Sequence, residues 1–189
     1  LYRKLEAEVP DAYYQLPIGK AHFVSRGTDA TIITYGMGVI WANTYQEQHP
    51  EISLTIVDLR SLAPLDYDAI AEAVSTTNKV LVLHEDNLTG GIGADIAAWI
   101  GEHCFQQLDA PVMRCASLDT PIPFNIALEK QYLANARLEE TMQKLLAYAL
   151  LCFASAVFAY SDEAKSLAYL LNSMQTFEAS LIQVLEVLK

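Results

Sequence analysis

The sequence predicts an α/β fold, a three-layer α/β/α domain around a mainly parallel sheet of about five strands, with an appended all-helical carboxyl-terminal segment. Two observations carry this. Short apolar, β-branched runs recur between stretches of helix length, a spacing that calls for right-handed βαβ crossovers. After Tyr148 the chain has neither glycine nor proline, and strand signals stop.

Residues 1–20 carry Pro10, Pro17 and Gly19 and read as an extended linker from an upstream domain. His22 to Ser25 reads as a short edge strand before the Arg26-Gly27-Thr28-Asp29 turn. Ala30 to Tyr35 is a central strand closed by Gly36, and Val39 to Gln46 the helix after it. Ser53 to Asp58 is the next strand, Asp68 to Ser75 the next helix, and Lys79 to Leu83 a third strand. From Ile92, the residues Ile96, Trp99, Ile100 and Cys104 share one helical face. Pro111 to Cys115 supplies another strand, and helices follow near Asn125–Leu133 and Leu138–Tyr148. Residues 21–148 thus form the domain and 149–189 a helical appendage. From Ala164 an a/d reading gives Ala164, Leu167, Leu171, Met174, Glu178, Leu181, Leu185 and Leu188, apolar at seven of eight positions. Ser161, followed by Asp162 and Glu163, is a candidate N-cap for that segment. It either packs on its own domain or makes an oligomer contact.

Composition narrows the function. A net charge of −11 without a basic block argues against nucleic acid and favours a basic protein partner. Three cysteines, Cys104, Cys115 and Cys152, show no CxxC spacing and fit reduced thiols in a cytoplasm. The apolar run Leu145–Tyr160 is 16 residues, short of the roughly 20 a membrane span requires. The charged opening, without an initiator methionine, reads as the middle of a longer polypeptide.

Chemistry concentrates where strands end. In open α/β sheets ligands bind at the carboxyl ends of strands. There Asp58 and Arg60 lie on one side of an extended chain, with Asp66 and Asp68 near enough in sequence for a salt-bridge lattice. His84-Glu85-Asp86 offers an imidazole and two carboxylates, but successive residues of a strand point apart, so they converge only at a turn. Thr89-Gly90-Gly91-Ile92-Gly93 opens the Trp99 helix, and a helix start holds anions. Glu85 and Asp86 just upstream repel phosphate and are expected to cap or face that start themselves. No histidine pairs with His84 at metal-ligand spacing, and neither Cys104 nor Cys115 has an activating base nearby in sequence. From a different class, Gly36-Met37-Gly38 imitates a dinucleotide fingerprint and would make the chain a small nucleotide-binding oxidoreductase domain. Trp41 stands where that fingerprint needs its third glycine.

A set of segments then occurs in order: Pro17-Ile18-Gly19-Lys20-Ala21, Thr34-Tyr35-Gly36-Met37-Gly38-Val39, Asp58-Leu59-Arg60-Ser61-Leu62, Pro64-Leu65-Asp66, Val82-Leu83-His84-Glu85-Asp86, Gly90-Gly91-Ile92-Gly93-Ala94 and Asp119-Thr120-Pro121-Ile122-Pro123-Phe124. Together, over residues 1–148, they resemble the carboxyl-terminal domain of the β part of a thiamine-diphosphate-dependent 2-oxo acid dehydrogenase, within the transketolase superfamily. The flavour is similar to bacterial 2-oxoisovalerate dehydrogenases whose α and β parts are fused, with pyruvate dehydrogenase second.

The resemblance implies a parent enzyme that decarboxylates a branched-chain 2-oxo acid and passes the acyl group to a lipoyl-acyltransferase. In that family thiamine diphosphate and magnesium sit between other domains, and the Gly-Asp-Gly diphosphate motif is absent here. The resemblance therefore implies no catalytic residue, no bound cofactor and no turnover by these residues alone. It implies assembly, within a homodimer or heterotetramer, and leaves Asp58, Arg60, His84, Glu85, Asp86, Gly90 and Gly91 as strand-end candidates for an interface or for a structural role. It further implies docking of the acyltransferase's basic subunit-binding domain, with Glu102 and Asp109 as candidate contacts. For either of these two, a solvated helix end is the competing reading.

Overall fold

The computed structural model describes residues 10–160. Five strands form one sheet: β1 (His22–Ser25), β2 (Ala30–Thr34), β3 (Leu54–Asp58), β4 (Val80–Asn87) and β5 (Met113–Ser117), in the spatial order β1-β3-β2-β4-β5. All neighbours run parallel except β1, which pairs antiparallel with β3 at the edge. The helices are α1 (Met37–Gln48), α2 (Tyr67–Thr77), α3 (Ile92–His103), α4 (Ile126–Tyr132) and α5 (Leu138–Tyr160). The expected class is what the chain adopts.

Why three layers form can be read along each strand. Side chains alternate between faces with a period of two. Ala30, Ile32, Leu54, Ile56, Leu81 and Leu83 point to one face, where Trp41 and Tyr45 of α1 and Met142 and Leu145 of α5 cover them. Ile33, Val57, Val80 and Val82 point to the other, against Ile70 and Val74 of α2 and Ile96 and Ile100 of α3. A strand buried on both sides is apolar at most positions, and the buried exceptions Thr31 and Thr55 donate their hydroxyls to the Ala73 and Gly27 carbonyls.

Two boundaries differ most from expectation. β4 does not stop at Leu83 but continues to Asn87, so His84, Glu85 and Asp86 lie within the strand. Backbone pairing continues there because Asn87 still faces Ser117 across the β4–β5 ladder, beyond an irregularity in register. α5 passes position 148 without interruption and reaches Tyr160, because Leu145 to Tyr160 contains no helix breaker. Among the described residues, no helix is long and apolar enough to cross a membrane. The a/d positions from Ala164, and the Ser161 cap, lie outside the described residues.

The topology places the candidates. α1 leaves β2 over one face and α3 leaves β4 over the other, so the direction of winding switches between β2 and β4. This is the crevice that open sheets offer to ligands. Because β1 is antiparallel, with His22 beside Asp58, the chain also enters the sheet at this carboxyl end.

Candidate functional site

Local chemistry fixes each segment of the carboxyl end. Arg60 takes a left-handed conformation (φ 55°), held by its own N–H donating to Asp58 Oδ1 at 3.1 Å. The Arg60 Nε to Asp58 Oδ2 distance is a loose 3.9 Å. Asp66 is buried and caps α2, accepting from the Ala69 N–H at 3.3 Å and the Ala21 N–H at 3.0 Å. Lys20 Nζ adds a third donor at 3.4 Å. Burial would raise the Asp66 pKa, but these donors outweigh it and hold the carboxyl below its ordinary value. The expected lattice of Asp58, Arg60, Asp66 and Asp68 is therefore not one network. Asp66 is committed to the entering linker and the α2 cap, and Asp58 to its own loop. Gly19 completes the linker's anchorage by donating its N–H to Ser61 Oγ at 3.0 Å. Replacing Asp66 with alanine is expected to cost about 1–2 kcal/mol, the upper range for a lost N-cap. Urea unfolding measures this, and Asp66→Asn should retain part of it.

At β4 the three candidates separate. His84 points to the α3 face and is fully buried; Glu85 and Asp86 are exposed. Neither His84 nitrogen has a hydrogen-bond partner. The imidazole lies directly under the first turn of α3. A Cβ on Gly93 would sit 2.3 Å from His84 Nε2, and one on Gly91 2.8 Å from His84 Cε1. The Tyr35 ring lies parallel to the imidazole with centroids 6.4 Å apart. The glycines after β4 thus let a helix settle on a histidine. The expectation that Glu85 and Asp86 cap α3 fails: its N-cap is Gly91, with no side-chain hydrogen bond. Glu85 turns the other way, toward Gly36, where a Cβ would lie 4.0 Å from Glu85 Oε2. Burial, then Asp86 and Glu85, push the Tyr35 phenol above its ordinary pKa.

Burial dominates at His84 too and lowers its pKa below 6.5, only partly opposed by Asp86. The unfolded chain therefore takes up the proton first as pH falls. His84 contributes its full stability above pH 6.5 and loses it as pH drops through the folded value. His49 has the opposite sign. Burial lowers its pKa, but hydrogen bonds to Glu51 and Glu139 outweigh that, so its contribution is full below pH 6.5 and fades as pH rises. Comparing wild type with His84→Asn isolates the first effect: the urea midpoint of wild type should fall more steeply below neutrality.

Two side chains to which sequence reading assigned no role, Asp119 and Arg137, organise the rest. Asp119 accepts from the Thr89 N–H at 2.9 Å and the Thr89 hydroxyl at 2.6 Å, tying the loop after β5 to the turn before α3. Arg137 donates to the carbonyls of Ala116, Gln131, Tyr132 and Leu133. The tied loop and the first turn of α4 display Ile122, Phe124 and Ile126, at least 70% exposed, and Leu128, Leu118 and Leu88 are also exposed. Ile18 of the entering linker and Leu62 are exposed at the same end. Only the bare Pro121-Ile122-Pro123-Phe124 string hints at this rim in sequence.

Glu102 and Asp109 are elsewhere. α3 runs away from the rim, so both lie at the amino end of the sheet. Glu102 is exposed, whereas Asp109 already pairs with Lys79 at 3.5 Å. Among the described residues, no cluster of His, Cys, Asp and Glu suits a metal ion. Burial pushes the Cys115 thiol up to about 11, away from the thiolate that nucleophilic chemistry requires. Nor does this end suit a diphosphate: Glu85 and Asp86 would face it, and the α3 turn is packed on His84.

The family described as Transketolase, C-terminal domain, matches residues 19–137. The 2-oxoisovalerate dehydrogenase subunit beta of Bacillus subtilis (strain 168) is 44% identical over 148 residues, 76% of this chain and 45% of that protein. The pyruvate dehydrogenase E1 component subunit beta of Porphyra purpurea is 40% identical over 139 residues, 69% of this chain and 40% of that protein. A solved structure, a split gene transketolase described as an inactive beta4 tetramer, superposes with a TM-score of 0.61 at 25% identity, covering 77% of this chain and 46% of that one. The chain spans less than half the length of each of these three proteins.

Proposed function

This chain belongs to the transketolase C-terminal domain family, and from that premise we propose that it is the assembly and docking domain of a 2-oxo acid dehydrogenase decarboxylase component. The parent reaction is oxidative decarboxylation of a branched-chain 2-oxo acid, with transfer of the acyl group to a lipoyl-acyltransferase. Thiamine diphosphate and magnesium belong to the other domains of that parent, and this domain holds neither.

The observation that carries the reading is the apolar rim. A domain that works alone has little use for Ile122, Phe124 and Ile126 standing in water at the carboxyl end of the sheet, the end at which its linker also enters, at the opposite edge. A domain whose upstream half packs on that end requires such side chains. The net charge of −11 suits a basic partner, whose approach it accelerates in a salt-dependent way. Titrating the chain calorimetrically with the acyltransferase's subunit-binding domain tests docking. Binding that weakens between low and moderate salt supports it, and absence of heat at both salts counts against it.

A further inference from the structure

The amino end of the sheet carries a second apolar feature. Helices α3 and α5, with the segments preceding the strands, bound a groove of about 1330 Å³. Ala97 and Gly101 of α3, Val112 before β5, and Leu146 and Ala149 of α5 line it. Phe153 of α5 and Phe105 stand at its margin, both more than 70% exposed. Small side chains on both walls admit another helix at close range.

We propose that the occupant of this groove is the chain's own carboxyl-terminal segment, residues 164–188. α5, which forms one wall, carries the chain to Tyr160, only seven residues or about 10 Å past Phe153. The sequence then continues for 29 residues, with the a/d apolar positions beginning at Ala164 and a Ser161 cap directly at the turn. A helix over 164–188 is about 37 Å long, more than enough to run back along the whole wall. A turn centred on Tyr160–Ser161 would set Leu167, Leu171 and Met174 at the levels of Ala154, Leu150 and Ala147. An apolar stripe therefore returns along the apolar wall. The consequence for partners rests on the docking function proposed above. Asp109 lines this groove and Glu102 adjoins Gly101, so the segment and a basic partner would compete for one face.

Hydrogen exchange on the full chain, compared with the Leu167→Asp/Leu171→Asp double variant, tests the occupancy without any partner. Amides of residues 105–112 and 146–153 should exchange at least tenfold more slowly in wild type, independently of protein concentration. Equal rates in the two chains overturn the proposal. So does protection that grows with concentration, which assigns the groove to a second copy. Cross-linking gives an independent reading, because Cys152 is exposed on α5 while Cys104 and Cys115 are buried. Under mild oxidation in dilute solution, Ala168→Cys at the seam should bond Cys152 within one chain, and Tyr169→Cys on the outer face should not. Equal bonding at both positions, or at neither, contradicts the packing. Because the chain is tested alone, failure here leaves the docking reading to its own titration.

Discussion

Replacing Gly93 with alanine lowers stability by about 1–3 kcal/mol, the range for overpacking a filled interior, and this loss depends on His84. The added methyl would stand 2.3 Å from His84 Nε2 and 2.5 Å from Cδ2, far inside van der Waals contact. The imidazole cannot swing away, because it is fully buried with Tyr35 alongside its ring. α3 must therefore lift, and Ile96 and Ile100, which it seats in the core, lift with it. His84→Ala by itself opens a cavity and is also destabilising. In the double variant the methyl has room, so the Gly93 cost should shrink by at least half. Urea unfolding of the four chains gives the coupling directly. Additive losses would mean that the glycine serves only its own helix turn.

Replacing Phe124 with aspartate leaves the stability of this chain within about 0.5 kcal/mol, as for other exposed positions, yet it abolishes most of the affinity for the rest of the enzyme. The ring is fully exposed in the isolated chain and contributes nothing to its core. A large aromatic displayed in this way is the kind of side chain that anchors interfaces, and losing such an anchor costs 2 kcal/mol or more. That is roughly a 30-fold loss in affinity. The affinity of this chain for the separately produced α part and amino-terminal β domain reads this out. Ile122→Asp should behave alike, whereas Glu47→Lys, on the far side of α1, should not. Unchanged affinity in Phe124→Asp would remove the rim from the assembly.

Most of the fold was legible because it is written locally. Ala30–Thr34, Leu54–Asp58 and Val80–Leu83 are short runs dominated by apolar and β-branched residues, as strands covered on both sides are. The edge strand at His22–Ser25 could be read from its position before a turn. The site was less legible, since its organisation depends on contacts far apart in sequence. Nothing near His84 says that its ring ends beneath Gly93, or that Glu85, one residue on, faces Gly36 on the opposite side of the sheet. Asp119 reaches Thr89 across 30 residues, and Arg137 collects carbonyls from β5 and α4. Asp66 was visible as a charge near Asp58, but its real partners, Ala21 and Lys20, come from the linker. Glu85 and Asp109 lie at opposite ends of the sheet because α3 runs from one end to the other between them.

The central claim is that this domain assembles an enzyme without carrying its chemistry. The most direct measurement is the decarboxylation of 2-oxoisovalerate, with thiamine diphosphate and magnesium supplied, by this chain alone and after mixing with the α part and the amino-terminal β domain. The account predicts no turnover by the chain alone and a rate that rises on mixing until the components are equimolar. Turnover by the isolated chain, or a mixed rate indifferent to its presence, would contradict it.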